Sequence, residues 1–278
     1  LNRVQPLALV QSVMQAARRL GFGSINIDLI YGLPHQTVPG FAQTVAAILA
    51  LQPDRLSVFN YAHLPDRFFP QTRIAEQDLP SAADKLAILG RTIGQLNEAG
   101  YHYVGMDHFA RPEDELARAQ AAGQLHRNFQ GYTTHGQCDL LSFGVSSISQ
   151  IGRFMLQNPT ELDTYTAAVL AASLPAVKVL AASDEDLLRR AVIMPLLCHG
   201  AVDFAAFSAQ QGVDFRQHFA AELAALAPMQ ADGLVTLDDQ RLCITERGRL
   251  LSRNVAMVFD AYLQAKLAEG GRRFSRVI

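Results

Sequence analysis

The stretch NIDLIYGLP, residues 26–34, decides the fold, because it is an apolar run with strand character that ends at a glycine and a proline. One carboxylate, Asp28, interrupts the run. The alternation of a strand places Asp28 and Ile30 on one face, opposite a face that holds Ile27, Leu29 and Tyr31. A buried charge without a partner is costly, so we interpret Asp28 as bound to a ligand or a cation. A structural role, capping a helix or pairing with an arginine, is the alternative.

Helices and strands alternate on both sides of this stretch. The predicted elements are helices over residues 6–20, 40–51 and 81–99 and strands over residues 26–31, 54–65 and 101–106. Ser81 and Asp84 form an imperfect capping box at the start of the third helix. The alternation predicts an α/β fold with a parallel sheet. Helices cover one face of this sheet, and the other face either lines the interior of a barrel or packs against a second layer of helices. Ligand sites in such folds lie at the carboxyl ends of the strands.

The second half of the chain has a different pattern. Residues 126–149 are rich in Gly, Ser and Thr with interspersed aromatics, which predicts a loop that lines a site. A composition shift near residues 174–183 indicates a domain joint. Beyond it, helices surround a hairpin predicted over residues 234–245, an arrangement that resembles a winged helix. We therefore expect one domain over residues 1–182 and a mostly helical one over residues 183–278.

Composition narrows the function classes. The chain has 278 residues, 49% of them hydrophobic and 18% charged, so it has ample apolar material for a core. A net charge of -2 gives no electrostatic footprint for nucleic acid, and the hairpin turn carries two acids, which disfavours a DNA-binding wing. No apolar run is long enough for a membrane span. The start has no signal-peptide pattern and no initiator Met, so we expect a fragment or a processed chain.

Three scattered cysteines, Cys138, Cys198 and Cys243, fit a reducing compartment better than a disulfide framework. No C-x-x-C pair is present, so we expect no metal site in this chain.

Two segments carry candidate chemistry. His108 follows a predicted strand and could act as an acid, a base or a ligand; a loop histidine bound to a backbone group is the interpretation that the residues favour on their own. Arg127, Asn128 and Gln130 stand among aromatic residues, and such clustered donors suit a flat ligand with a carboxylate. A well-bonded surface loop is the alternative for this cluster.

Taken together, the segments of the chain resemble one family. NIDLIYGLP, DRLSVFNYAHLP, GYHYVGMDHFARPEDELA, LHRNFQGYTT and the terminal FSRVI are similar, in this order, to the oxygen-independent coproporphyrinogen III oxidases. These are radical S-adenosylmethionine (SAM) enzymes of haem synthesis. The resemblance runs from Leu1 to Ile278 and covers about the last three-fifths of the family's chain. It implies part of an incomplete, TIM-like (β/α)6 barrel followed by a mostly helical C-terminal domain.

The resemblance also implies a reaction. Two propionates of coproporphyrinogen III undergo oxidative decarboxylation to vinyl groups, which gives protoporphyrinogen IX. A SAM-derived 5′-deoxyadenosyl radical abstracts hydrogen from the propionate β-carbon, and loss of CO2 and an electron completes the vinyl group. A [4Fe–4S] cluster, two SAM molecules and an electron donor such as flavodoxin are implied, in a monomeric cytoplasmic protein.

Site residues follow by position. Arg3 matches the arginine at the SAM carboxylate, and Asp28 matches the aspartate at the ribose hydroxyls. The remaining positions match residues lining the adenine (Ile30 and Ala62) or contacting SAM (Ile148, and Gln130 at the second molecule). Substrate propionates need cationic partners, and on chemistry alone the candidates are His108, Arg111 and Arg127.

The chain departs from the family in its cysteines. The family binds its cluster through C-x-x-x-C-x-x-C, and this motif is absent here. We therefore expect a C-terminal fragment that by itself neither assembles the cluster nor turns over, since the cluster is bound by a part of the parent protein not present in this chain. A half barrel also leaves open sheet edges, which favour self-association. The alternative is a cluster-free relative that carries haem or a porphyrin.

Overall fold

The computed structural model describes residues 4–136 and 138–268. These residues divide into two compact units. The first contains residues 4–122, with which residues 265–268 group, and the second contains residues 123–264.

Four helices and four strands make up the first unit up to residue 122. In chain order they are α1 (Leu7–Arg19), β1 (Asn26–Tyr31), α2 (Val38–Leu49), β2 (Arg55–Asn60), α3 (Ala82–Glu98), β3 (His102–Gly105), β4 (His108–Ala110) and α4 (Glu115–Ala121). Short 3-10 turns at Phe69–Arg73 and Glu76–Asp78 lie between β2 and α3. The mixture of helices and strands confirms the predicted α/β class.

The sheet of the first unit has the order β1-β2-β4-β3. β1 and β2 are parallel, and Asp28 pairs with Ser57 in their register. The prediction of an all-parallel sheet is wrong beyond this pair, because β4 runs antiparallel to both β2 and β3. A tight turn at Met106 and Asp107, both with positive φ (43° and 75°), reverses the chain after β3 and inserts β4 between β2 and β3.

One face of this sheet is covered by α2 and α3. Their apolar sides meet the inward side chains of the strands in one buried cluster that includes Leu29, Tyr31, Val45, Leu56, Val58, Ile88 and Leu96. The predicted capping box at the start of α3 is confirmed. Ser81 Oγ accepts a hydrogen bond from Asp84 N at 3.1 Å, and the Asp84 carboxylate accepts one from Ser81 N at 3.3 Å.

The second unit contains shorter elements. They are β5 (His126–Asn128), β6 (Gly131–Thr133), β7 (Ile148–Ile151), β8 (Phe154–Gln157), α5 (Leu162–Leu170), β9 (Lys178–Ala181), α6 (Asp184–His199), β10 (Ala201–Asp203), α7 (Phe204–Gln211), α8 (Phe215–His218), α9 (Ala220–Ala225), α10 (Ala227–Ala231), β11 (Val235–Leu237), β12 (Arg241–Ile244), α11 (Ser252–Met257) and the start of α12 (Ala261–Ala268). A 3-10 turn, Arg249–Leu251, precedes α11.

Three small antiparallel sheets organise these strands: the β5-β6 hairpin, the sheet β7-β8-β9 and the sheet β10-β12-β11. The predicted hairpin over residues 234–245 is present as β11 and β12. The predicted loop over residues 126–149 instead contains the β5-β6 hairpin and begins β7. The predicted joint near residues 174–183 contains β9, which pairs with β8. The domain boundary between residues 182 and 183 stays a prediction, whereas the compact units divide after residue 122.

A second core lies within the second unit. Its centre is a set of packed aromatic rings, in which Phe215 stacks on Phe204 with ring centroids 4.4 Å apart. Phe219 and Phe259 meet edge to face with ring centroids 5.7 Å apart, a geometry that pairs of aromatic rings prefer. A capping box at Ser183 and Asp186 begins α6. Among the helices described, none is long and apolar enough to cross a bilayer.

Candidate functional site

The face of the first-unit sheet opposite α2 and α3 is open. Along β1 the side chains alternate as predicted. Leu29 and Tyr31 are buried, whereas Asp28 is exposed and Ile30 keeps 46% of its surface exposed. We call this surface, formed by Asn26, Asp28, Ile30, Ser57, Phe59 and His108, the open face. It presents an exposed carboxylate and amide beside apolar and aromatic side chains, which is the mixture of groups that binds small polar ligands, whereas the Ser57 hydroxyl is buried beneath them.

Asp28 is held by hydrogen bonds within the open face. Asn26 Nδ2 donates to Asp28 Oδ1 at 2.6 Å, and Ser57 Oγ donates to Asn26 Oδ1 at 3.2 Å. Among the described residues no ion pair involves Asp28. Among the described residues, Asp28 therefore neither caps a helix nor pairs with an arginine, which were the two structural alternatives for this carboxylate. The carboxylate retains acceptor capacity for a hydroxyl-bearing ligand.

Ala62 lies beside the carboxyl ends of the two parallel strands. Tyr61 N donates to the carbonyl oxygen of Tyr31 at 2.8 Å, which carries the β1–β2 pairing one residue past β2. The next residue, Ala62, is exposed, and its carbonyl accepts a hydrogen bond from Gln71 Nε2 at 3.1 Å. Ala62 therefore belongs to the same edge of the sheet toward which Ile30 lies on β1.

His108 stands on β4 rather than in the predicted loop. Its register partner is Ser57, so its side chain shares the open face. The ring packs edge to face against Phe59 with centroids 5.8 Å apart. Nδ1 lies 2.7 Å from the carbonyl oxygen of Met106, and a carbonyl only accepts, so Nδ1 carries a proton. The backbone partner expected for this histidine is confirmed. His108 nevertheless lies on a strand, beside the other candidate residues, and not in a loop.

Arg111 lies at the opposite end of β2. Its backbone N donates to the carbonyl of Asp54 at 2.9 Å, and its Nε donates to the carbonyl of Pro53 at 3.3 Å. The guanidinium also lies over the ring of Tyr101 at 5.6 Å. These contacts engage Arg111 at the amino end of the strand, away from the edge where ligand sites of α/β sheets gather. The observed contacts of Arg111 are thus structural ones, and its contact with substrate stays a prediction.

Three further predicted residues belong to the second unit. Gln130 is exposed in the turn of the β5-β6 hairpin, where its N donates to Asn128 Oδ1 at 2.9 Å. Ile148 is the first residue of β7 and pairs with Gln157. Arg127 lies on β5 with its guanidinium over the ring of Tyr132 at 5.7 Å, and it lines a cavity with α6. The remaining prediction, Arg3, lies outside the described residues.

The cysteines do not form a ligand set. Cys138 is exposed, Cys198 is buried on α6, and Cys243 is half-buried on β12. Burial raises the pKa of the Cys198 thiol to about 12, so this cysteine stays protonated at neutral pH, whereas metal ligands are thiolates. Throughout the part of the chain that the structure describes, no three His, Cys, Asp or Glu side chains are placed to hold a metal ion. The described residues therefore do not fit an iron–sulfur cluster.

Sequence reasoning missed several residues of these surfaces. Asn26 orients the carboxylate, and Phe59 supplies an aromatic wall of the open face. The parallel pairing of the two strands would have identified the aromatic residue, because Phe59 is the register partner of Ile30. In the second unit sequence reasoning also missed Arg190, although it stands directly before the apolar run of α6 as one of two adjacent arginines.

Comparison with known proteins gives consistent matches along the chain. A family model described as the HemN C-terminal domain matches residues 182–251. The chain is 51% identical over 278 residues to the oxygen-independent coproporphyrinogen III oxidase of Pseudomonas aeruginosa, all of this chain matching 60% of that protein. It is 50% identical over 279 residues to the protein of the same name from Thermostichus vulcanus, of which it covers 85%.

A solved structure is also similar. It is described as coproporphyrinogen III oxidase (HemN) from Escherichia coli, a radical SAM enzyme. The TM-score is 0.90 at 49% sequence identity, and the match covers 94% of this chain and 60% of that one. The chain therefore spans about three-fifths of the length of the P. aeruginosa and E. coli relatives.

Proposed function

Because this chain belongs to the family of the oxygen-independent coproporphyrinogen III oxidases, we propose that it acts in the oxidative decarboxylation of coproporphyrinogen III to protoporphyrinogen IX. Two propionate side chains of the substrate become vinyl groups, each losing CO2. The observation that carries this proposal is the 51% identity to a relative along the entire chain. The open face supports it, because it presents a carboxylate between an amide and an apolar side chain.

The described residues fit a nucleoside. Asp28 would accept hydrogen bonds from the ribose hydroxyls of SAM, with Asn26 fixing the carboxylate. Ile30 and Ala62, both exposed, would give the adenine an apolar surface. Arg3 would pair with the SAM carboxylate. When bound, SAM supplies the hydrogen-abstracting chemistry of the reaction, and the role of these residues is to bind and orient it.

Further parts of the proposal concern the second unit and the substrate. Gln130 and Ile148 would contact SAM, Gln130 touching a second molecule. His108 and Arg127 would meet substrate propionates. Arginine recognises carboxylates in a fork. His108, whose Nδ1 proton is taken by the Met106 carbonyl, would donate from Nε2 as the imidazolium.

The remaining features are those of the family. We propose that the first domain is part of an incomplete (β/α)6 barrel and that a winged-helix-like domain begins near residue 183; the family model that starts at residue 182 supports this boundary. No described residue is assigned to the [4Fe–4S] cluster. An electron donor such as flavodoxin, a monomeric state of the full-length protein and a cytoplasmic location complete the proposal.

The carboxylate of Asp28 provides the test. In the full-length protein, Asp28→Asn should weaken SAM binding by about 10- to 100-fold, because a charge-assisted hydrogen bond to a hydroxyl contributes roughly 1.5–3 kcal/mol. Equilibrium dialysis with radiolabelled SAM measures the affinity. Asp232→Asn is the matched control, since Asp232 is an exposed carboxylate next to the end of α10. Equal affinities in the two variants would contradict the assignment of Asp28.

Activity is tested separately. The full-length protein, reconstituted anaerobically with iron and sulfide, should form vinyl product from coproporphyrinogen III in the presence of SAM and a reductant. Absence of product, together with stoichiometric binding of haemin, would favour a porphyrin carrier instead.

A further inference from the structure

A cavity of about 280 Å³ lies within the second unit. One wall comes from the sheet β7-β8-β9, and another comes from α6 and the segment that leads into α12. Its apolar lining consists of Met155, Leu180, Leu187, Ile193, Met194 and Phe259. A concave apolar site near 300 Å³ is at the lower end of the range for small-molecule sites. Its volume suits a short hydrocarbon or one edge of a larger molecule.

Positive charge is in excess around the cavity, because four arginines line it against two aspartates. Both aspartates are engaged as helix caps. Asp186 accepts from Ser183 N at 2.8 Å, and Asp260 accepts from Leu263 N at 3.0 Å.

Two of the four arginines have acidic partners. Arg153 pairs with Asp184 at 2.8 Å. Arg189 pairs with Glu185 at 2.6 Å and with Glu222 at 2.8 Å. Their charges are therefore compensated within the unit.

The other two, Arg127 and Arg190, have no carboxylate partner among the described residues. Arg127 Nε is buried and has no hydrogen-bond partner among the described residues. Arg190 is partly buried, and within the described chain no carboxylate pairs with it; desolvation lowers its pKa. A partly buried cation without an opposite charge beside it is costly, and an anion in the cavity would relieve that cost for both side chains.

We propose that this cavity is a binding site for the carboxylate end of an apolar ligand, with Arg127 and Arg190 on the carboxylate and the hydrocarbon against the apolar lining. Guanidinium groups match carboxylates in a fork, and an apolar surround strengthens the pairing. A propionate arm of a porphyrin and the head of a fatty acid share this chemistry. The cavity argument does not depend on the proposed enzymatic activity.

Binding to the complete 278-residue chain tests the site without iron, SAM or reductant, so catalytic failure cannot affect the result. The probes are 11-(dansylamino)undecanoate, its methyl ester and coproporphyrin III, followed by fluorescence. Removing the probe's charge by esterification should weaken binding by about 10- to 100-fold. Arg127→Met and Arg190→Met should each cause a loss of the same size. Arg190→Lys should retain part of the affinity, because the charge remains and only the fork is lost.

Arg247→Met is the matched control, because Arg247 is an exposed arginine of the same unit that does not line the cavity; its affinity should equal that of the unmodified chain. Tighter binding of coproporphyrin III than of the dansyl acid would identify a propionate as the natural carboxylate, and the reverse order would identify an acyl chain. The proposal is overturned if acid and ester bind equally, if no probe binds, or if folded cavity variants, checked by circular dichroism, bind like Arg247→Met.

Discussion

At the scale of single residues, burial sets the chemistry of Cys198. Its side chain is 2% exposed on α6, and desolvation raises the pKa of its thiol to about 12, although the positive charge of Arg127 acts in the opposite direction. An unfolded cysteine ionises near pH 8.5. Between these two values the unfolded chain releases a proton that the folded chain keeps, so rising pH favours unfolding.

This linkage gives a pH dependence of stability. Below about pH 8.5 the contribution of Cys198 is complete, and above it the free energy of unfolding should fall by about 1.4 kcal/mol per pH unit until the folded thiol itself ionises. Urea unfolding at pH 7, 9 and 10 measures the slope. Cys198→Ala should remove this component of the slope while lowering stability at all pH values. If the variant and the unmodified chain lose stability in parallel, the thiol is not the cause.

The positions on β1 show what residue-level reasoning achieves. Strand alternation alone predicts that Asp28 and Ile30 share a face opposite Leu29 and Tyr31, and the exposures agree. The role of Arg190 cannot be predicted from the sequence in the same way. That no carboxylate of the described residues pairs with Arg190 depends on side chains of β5, α6 and the sheet β7-β8-β9, which are distant in sequence, and no local sequence pattern predicts it.

At the scale of elements, one carboxylate joins three segments of the first unit. Asp114 is buried and accepts hydrogen bonds from Arg55 Nε at 2.8 Å, from Ser24 Oγ at 2.8 Å and from Leu116 N at 2.8 Å. It thereby links β2, the chain ahead of β1 and the first turn of α4. Burial acts to lower the pKa of Arg55, yet the hydrogen bonds and charges of Asp114 and Glu115 outweigh it, and the pKa is raised.

Removing one charge from this buried pair should be costly. Asp114→Asn keeps the helix cap but leaves Arg55 without its inner partner, so we expect a loss of about 3 kcal/mol in the free energy of unfolding. Glu115→Gln is the matched control. Glu115 contacts the same guanidinium at 2.7 Å but is 57% exposed, so its loss should be under about 1 kcal/mol. Chemical denaturation measures both values, and comparable losses would contradict the special importance of the buried pair.

The sheet shows where element-level prediction ends. Helices α1, α2 and α3 were predicted from apolar spacing, caps and glycine stops, which are local signals. The hairpin that inserts β4 was missed, because its turn consists of Met106 and Asp107, both with positive φ. Such turns are normally recognised by Asn-Gly or Asp-Gly pairs. A methionine at this position does not indicate a turn in the sequence, and contacts with the neighbouring structure must stabilise its positive φ.

At the scale of the whole molecule, the open face and the edge of its sheet lie next to each other. β1 is an edge strand in the sheet that the structure describes, since its only partner there is β2. The same strand exposes Ile30 on its uncovered face. An unpaired edge beside exposed apolar surface is a template for pairing with another chain. The first unit has its own buried core behind this sheet, so the edge is presented by a folded unit rather than by a loose segment.

We therefore expect this 278-residue chain to self-associate reversibly with rising concentration, as measured by sedimentation velocity. Ile30→Lys should weaken the association by about tenfold or more, because a lysine on an edge strand opposes pairing by charge and by its hydration. Val169→Lys is the control, since Val169 on α5 has a similar exposed fraction, 48%, in the other unit and lies on no sheet edge. If both variants associate as the unmodified chain does, the edge of β1 is not the contact. A chain that stays monomeric throughout would refute self-association altogether, and the argument from an unprotected edge would fail with it.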